Sequence, residues 1–212
     1  MGEDLTARAR LRDAAIELLA DGGAAAVSAR SVAERAGVTS GLIRHHFGSM
    51  AGLLDACDDH VAAIIRDRKG EGMAQGLGFD SVAALRDAGN QTVMAYLARR
   101  IPDDAPAIAQ LVDQIVDDAV GYLRVGQESG LVTATDDDRG RAAILTMFSL
   151  GSLTMHRHLA RHFGIDITSA DLVAQPGYPR YLLAMVDALG AVIEPGALET
   201  YRTAIAQLRE KP

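Results

Sequence analysis

The sequence holds few of the residues that stabilise small secreted proteins or anchor proteins in membranes. Its 212 residues include a single cysteine, Cys57, which rules out an internal disulfide framework and a cysteine-rich zinc module. Its apolar runs stay well short of the ~18 residues that a membrane-spanning helix needs, and the opening MGEDLTARAR contains no apolar stretch of a signal peptide. At 49 % apolar and 23 % charged residues the composition is otherwise that of a globular protein, so we expect a cytoplasmic location.

Aromatic residues and lysines are scarce too. Aromatic residues make up 4 % of the chain, Trp is missing and alanine is abundant, a composition that favours helices. Lys69 and Lys211 are the only lysines, so arginine supplies nearly all of the positive charge. The formal net charge of −7 argues, at first sight, against nucleic acid as a partner.

The spacing of apolar residues and helix breakers predicts an all-α fold. It indicates helices over about residues 6–20, 28–35 and 39–46, followed by a helix whose apolar stripe includes Leu53, Cys57 and Val61. Four glycines within residues 69–78 predict a flexible connection after that helix. Residues 131–133 are too short a run to count as a strand. Further helices are expected over about residues 81–100, 106–129, 136–163, 179–193 and 196–210.

Residues 27–47, VSARSVAERAGVTSGLIRHHF, have the pattern of a helix-turn-helix. Ser28 is placed to cap the first helix, and Gly37 stands in the turn, where a left-handed backbone suits glycine. Thr39 or Ser40 is expected to cap the second helix. The second helix of such a motif can lie in the major groove of B-DNA.

The segment from about Thr6 to Val61 resembles the DNA-binding domain of TetR-type transcriptional regulators. The resemblance implies a helix-turn-helix domain over residues 1–50, a connecting helix and glycine-rich linker over residues 51–78, and a ligand-binding and dimerisation domain over residues 79–212. It also implies a homodimer that holds a palindromic double-stranded DNA operator, as a repressor, until a small-molecule effector binds. The residues that carry the resemblance are Ser28, Ala33, Ala36-Gly37-Val38-Thr39, Gly41, Ile43 and His46-Phe47-Gly48-Ser49.

Position within this motif assigns the DNA contacts. The first turn of the recognition helix should meet base edges, a following arginine can bind guanine or phosphate, and hydroxyls at helix N-termini can bind phosphate or simply cap the helices. The sequence departs from the family pattern at two positions. Met50 replaces a lysine that often contacts phosphate in this family, and Arg44 replaces a frequent tyrosine. The predicted DNA-binding residues are Ser28, Arg30, Thr39, Ser40, Gly41, Leu42, Arg44, His45 and His46.

Splitting the net charge by position removes the objection to DNA. Residues 1–50 contain six arginines and six acidic residues, so that the whole −7 belongs to residues 51–212. Arg8, Arg10 and Arg12 could also reach phosphate, although the nearby Asp13 and Glu17 favour a solvated helix face.

Residues 79–212 hold the candidates for a ligand pocket. A set of methionines and aromatic residues could line a cavity, although for any single member a plain core position is the favoured interpretation. The helices over residues 136–163 and 179–210 are expected to form the dimer interface. The pocket candidates are Met94, Tyr96, Tyr122, Met147, Phe148, Met155 and His156.

Two alternative functions stay open at this level. His158 and His162 are four residues apart and could chelate a metal in a metal-responsive regulator, but no further ligand completes a site, so no metal site is predicted. An all-helical carrier or enzyme without DNA binding is the second alternative. The chain has no phosphate-binding glycine loop before a helix and no nucleophile elbow, so we predict neither enzymatic activity nor a cofactor.

Overall fold

The computed structural model describes residues 2–75, 88–102, 106–169 and 171–210. Helices dominate these residues, as the composition predicts, and the only β-type contact in the described part is an isolated bridge between Val132 and Ile193. None of the described helices is long and apolar enough to cross a membrane. The α-helices are α1 Gly2–Gly22, α2 Ala29–Ala36, α3 Gly41–Phe47, α4 Met50–Gln75, α5 Ala88–Arg100, α6 Pro106–Glu128, α7 Asp138–Thr154, α8 His156–Phe163, α9 Tyr178–Ala188 and α10 Pro195–Glu210.

The first four helices match the sequence pattern closely. Helix α1 begins at Gly2 rather than Thr6, and it buries Leu11, Ala15 and Leu19 on one face. This face packs against α2 and α4, while α3 packs against α4. The result is a small helical bundle whose apolar residues were visible in the sequence as a helical stripe.

The predicted flexible connection over residues 69–78 is wrong for the part that the structure describes. Helix α4 continues through Gly70 and Gly72 to Gln75, and residues 76–78 lie outside the described part. A glycine inside a helix costs about 1 kcal/mol relative to alanine, which tertiary packing can offset. Here α4 packs along α6, and Met73 lies against the apolar cluster that includes Val132.

Two later helices, in contrast, end earlier than predicted. The expected helix over residues 136–163 is divided at Met155, where the ring of His156 bonds the Leu153 carbonyl oxygen at 3.0 Å and competes with the helical backbone. Helix α9 ends at Ala188, because the chain then turns to pair with residues 131–133. Thr133 N donates to the Val192 carbonyl at 3.0 Å, and Glu194 N donates to the Leu131 carbonyl at 3.0 Å.

Helix α5 joins the N-terminal bundle to the rest of the protein. The predicted start of this helix at Ser81 lies outside the described residues, but from Ala88 onward it packs against α1 and α7. Val93, Tyr96 and Leu97 are buried in the same cluster as Leu11 of α1. The N-terminal helices therefore share one apolar core with the C-terminal helices.

Candidate nucleic-acid interface

The turn between α2 and α3 is built from local hydrogen bonds. The Ser28 hydroxyl accepts the backbone N–H of Ser31 at 3.1 Å, and the Ser31 hydroxyl accepts the backbone N–H of Ser28 at 2.9 Å. This reciprocal capping box confirms Ser28 as the cap of α2. Gly37 ends α2 with φ of 66°, in the left-handed region that favours glycine, and Val38 N donates to the Ala33 carbonyl at 3.0 Å.

Helix α3 packs against the bundle on one side and exposes the other side to solvent. Ile43 is buried, Leu42 and Phe47 are half-buried against the core, and Gly41, Arg44 and His45 are exposed. This division follows the 3.6-residue period of a short amphipathic helix. Of the predicted contacts in the first turn, Ser40 and Gly41 lie on the exposed side, whereas Leu42 belongs to the side that packs on the core.

The hydroxyls at the start of α3 are not used in capping. The expectation that Thr39 or Ser40 caps this helix with its side chain is wrong, because Ser40 occupies the cap position without a side-chain hydrogen bond and lies in helical geometry. Both residues are exposed. The first turn is closed instead by the backbone, with Leu42 N donating to the Thr39 carbonyl at 3.1 Å. Two exposed hydroxyls therefore stand at the N-terminus of α3.

The remaining predicted contact residues surround this face. Arg30 lies exposed in the first turn of α2. At the other end of α3, the half-buried ring of His46 meets the His45 ring edge-on at 4.9 Å between centroids. All nine predicted residues thus belong to α2, α3 or the turn before them, and none is fully buried.

Met50 has a structural reason to differ from lysine. It is the first residue of α4 and packs, half-buried, against the main apolar core. The polar contact at the start of α4 comes from Ser49, whose hydroxyl accepts the backbone N–H of Gly52 at 3.0 Å.

The seven predicted pocket residues lie in different environments. Met94 and Tyr96 belong to the main core, and Tyr122 packs against the second apolar cluster, where burial and then the charge of Asp118 raise the pKa of its phenol to about 12. His156 is half-buried, whereas Met147, Phe148 and Met155 are among the exposed large apolar residues. The pocket therefore stays a prediction, and the three exposed residues point to a surface instead.

A buried polar cluster between α4 and α5 was missed at the sequence level. Asp58 accepts hydrogen bonds from Arg100 Nη2 at 2.8 Å and from Tyr96 Oη at 2.5 Å. Burial, followed by the charge of Asp58 and this hydrogen bond, raises the pKa of Tyr96 above its ordinary value. The signal available was an acid on the apolar stripe of α4, one turn from Leu54 and from Val61.

The histidines of α8 do not form a metal site with other described residues. His158 and His162 are exposed, and His158 Nδ1 lies 3.3 Å from Arg161 Nη1. Among the residues that the structure describes, no group of three or more His, Cys, Asp and Glu side chains is placed to hold a metal ion.

Known proteins are similar to this chain in sequence and in the architecture described above. Family models match residues 11–57 as bacterial regulatory proteins of the tetR family and residues 90–186 as a tetracyclin repressor-like C-terminal domain. The helix-turn-helix transcriptional regulatory protein RaaS of Mycobacterium tuberculosis is 36 % identical over 154 residues, which cover 72 % of each chain.

Solved structures add the likeness in fold. Full-length TylP, a TetR regulator from Streptomyces fradiae, superposes with a TM-score of 0.60 at 17 % identity over 97 % of this chain and 98 % of that one. CprB from Streptomyces coelicolor, solved with its operator sequence, gives a TM-score of 0.52 at 19 % identity over 99 % of both chains. Taken with the two domain matches and the identity to RaaS, this likeness places the chain in the TetR family of bacterial regulatory proteins, which are DNA-binding transcriptional regulators.

Proposed function

We propose that this regulator is a homodimeric repressor whose two recognition helices bind a near-palindromic operator. A small molecule that binds the C-terminal helices then releases it from the DNA. The observation that carries the DNA contact is the outer face of α3 and the turn before it. This face presents Thr39, Ser40, Gly41, Arg44 and His45 to solvent while Ile43 anchors the helix. Hydroxyls, an arginine and an imidazole at the start and middle of a recognition helix are suited to phosphates and base edges.

Exposed apolar residues on α7 support the dimer. Ile144 and Phe148 are 65 % and 53 % exposed, Gly151 follows on the same helical face, and Met155, directly after the helix, is 56 % exposed. Large apolar side chains that gather on one exposed face mark interaction surfaces, and glycine allows a close helix approach there. A two-fold dimer formed by this face would place two reading heads on the successive half-sites of a palindrome.

The continuity of α4 supports a lever mechanism. This helix runs from the DNA-binding bundle at Met50 to Met73, which packs in the C-terminal part against Gly126 and Val132. An effector that displaces α6 or α7 would move α4 and change the spacing of the two recognition helices. Such an effector must bind the DNA-incompetent state more tightly than the competent one.

Titration of the full-length protein against DNA from the promoter of its own gene tests the DNA-binding half of the proposal. We expect specific binding that weakens with salt, and Arg44→Ala should weaken it by more than tenfold. Arg124→Ala on α6 is the matched control, because it also removes one exposed arginine but lies outside both the DNA-binding bundle and the helices expected at the dimer interface. Equal loss in both variants, or no specific binding by the wild-type chain, would contradict the proposal.

A thermal-shift screen tests the effector half. A compound that binds only the folded protein raises its unfolding temperature in proportion to the logarithm of its concentration. Compounds that do so are then added to the protein–operator complex. Release of the DNA supports the repressor mechanism, whereas tighter binding in the presence of every stabilising compound would overturn it in favour of a corepressor.

A further inference from the structure

The three arginines on the N-terminal half of α1 have different surroundings. Arg12 Nη2 pairs with Asp13 Oδ1 at 2.7 Å. Arg8 instead stacks on the last residue of the recognition helix, with its guanidinium carbon 5.0 Å from the centroid of the Phe47 ring. This distance is within the ~6 Å of a cation–π contact. Arg12 is therefore held in an ion pair with its side chain only 20 % exposed, whereas Arg8 is exposed and contacts an aromatic ring instead of an acid.

Phe47 can act as a fixed platform for this arginine. It is half-buried and packs against the main apolar core, while the neighbouring His46 ring meets it edge-on at 6.2 Å between centroids. An arginine that stacks through its flat face keeps its N–H groups at the edge of the guanidinium free for other acceptors. Among the side chains that the structure describes, no carboxylate lies within ion-pair distance of Arg8.

In the proposed mode of binding, the length of α3 would bring this guanidinium near the DNA backbone. The seven residues of α3 span about 10 Å, close to the ~12 Å width of the major groove. When the N-terminal turn of the helix meets base edges, its C-terminal end lies toward the phosphates at the rim of the groove. Phe47 is the last residue at that end.

We propose that Arg8 binds a backbone phosphate of the operator and that Phe47 positions it for this contact. The inference rests on the proposed mode of DNA binding, in which α3 enters the major groove. Arg8, on α1, thus contributes a contact that does not depend on base sequence, in addition to the contacts that α3 makes with base edges. The contact is significant because residues 1–50 carry only six positive charges, of which Arg12 and Arg35 are already paired with acids.

The salt dependence of operator binding tests this contact. We expect Arg8→Ala to lower the slope of log affinity against log salt by about 0.9 per protomer, which corresponds to about a fivefold loss of affinity per protomer at about 0.15 M salt. The loss should be the same for the operator and for duplexes with altered base sequence, because a phosphate contact carries no base information. Arg8→Gln, which keeps most of the side-chain stem, should give the same slope, and both variants should remain fully folded at the temperature of the assay.

Arg10→Ala is the matched control. Arg10 is exposed on the same helix but lies about 200° around its axis from Arg8, so its loss should leave the slope nearly unchanged. An unchanged slope in Arg8→Ala overturns the inference, as does an equal change in Arg10→Ala or an altered base preference. In each of these cases the wild-type chain still binds its operator, whereas failure of the wild-type chain to bind would overturn the proposed function instead.

Discussion

Arg100 forms a buried ion pair with Asp58 across the boundary between the DNA-binding bundle and the C-terminal helices. Its Nη2 donates to Asp58 Oδ2 at 2.8 Å and its Nε donates to Oδ1 at 3.1 Å, and the two side chains are only 9 % and 6 % exposed. The hydroxyl of Tyr96 completes the site on the same carboxylate. The pair ties α4, which packs against α3, to α5, which packs against α1.

Removing the carboxylate of this buried pair should strongly destabilise the fold. We expect Asp58→Ala to lower the free energy of unfolding by about 3–5 kcal/mol, because the Arg100 charge stays buried without its anion. Urea denaturation followed by circular dichroism measures the change. The control is Asp187→Ala, since Asp187 pairs with Arg202 at the same 2.8 Å but both side chains are about half exposed. That variant should lose less than about 1 kcal/mol, and equal losses would contradict the argument from burial.

Cys57 should be inert in the native protein. It is fully buried, its thiol contacts the Arg12 carbonyl oxygen at 3.6 Å, and burial followed by the charge of Asp58 raises its pKa from 9.0 to about 12. Because the thiolate is the reactive form, an aromatic disulfide reagent at pH 8 should label Cys57 only as fast as the protein unfolds. Prompt labelling of the native protein would show that the site opens locally.

The same pKa shift gives a pH dependence with a defined sign. Above its ordinary pKa the thiol of the unfolded chain loses its proton, whereas the folded protein keeps it until about pH 12. Between about pH 9 and 12 this group therefore lowers the free energy of unfolding by up to about 1.4 kcal/mol per pH unit. Cys57→Ala, compared with the wild type between pH 8 and 10, should show a weaker loss of stability as the pH rises. Parallel curves would argue against this role of the thiol.

Two glycines of the helix-turn-helix should respond oppositely to alanine. A Cβ at Gly41 would meet nothing within 4 Å, so Gly41→Ala should keep or raise the unfolding temperature while it lowers operator affinity by at least tenfold. Gly37 has φ of 66°, a conformation in which alanine costs about 1–2 kcal/mol. Gly37→Ala should therefore lower the free energy of unfolding. Unchanged operator binding by Gly41→Ala would show that the first turn of α3 does not approach DNA closely.

A charge among the exposed apolar residues of α7 should weaken the dimer. Phe148→Glu places a carboxylate on a side chain that is 53 % exposed in the protomer, so folding of the protomer should survive while association does not. Analytical ultracentrifugation should show monomers at concentrations where the wild type is dimeric. Operator affinity should fall as the dimer is lost. Ser149→Glu, which also alters an exposed residue of α7 but lies away from their helical face, is the control. Dimers in both variants would place the interface elsewhere.

The local features of the DNA-binding bundle were predictable because they depend on near neighbours. The capping box of Ser28 with Ser31, the left-handed turn at Gly37 and the inward position of Ile43 all involve residues within one or two helical turns. Two of the failures came where distant segments compete with local preference. Gly70 and Gly72 stay helical because α4 packs along α6, and α9 ends at Ala188 because residues 192–194 pair with residues 131–133.

The order of residues along the chain thus specifies the all-helical fold, the helix-turn-helix and the placement of acidic charge outside it, since helix propensity, capping and charge are properties of short segments. Folding in three dimensions settles which side chains meet. Arg100 reaches Asp58 from 42 residues away, and Arg8 reaches Phe47 on another helix. Such contacts depend on how whole helices pack, and no local pattern encodes the partner that packing brings to a buried charge.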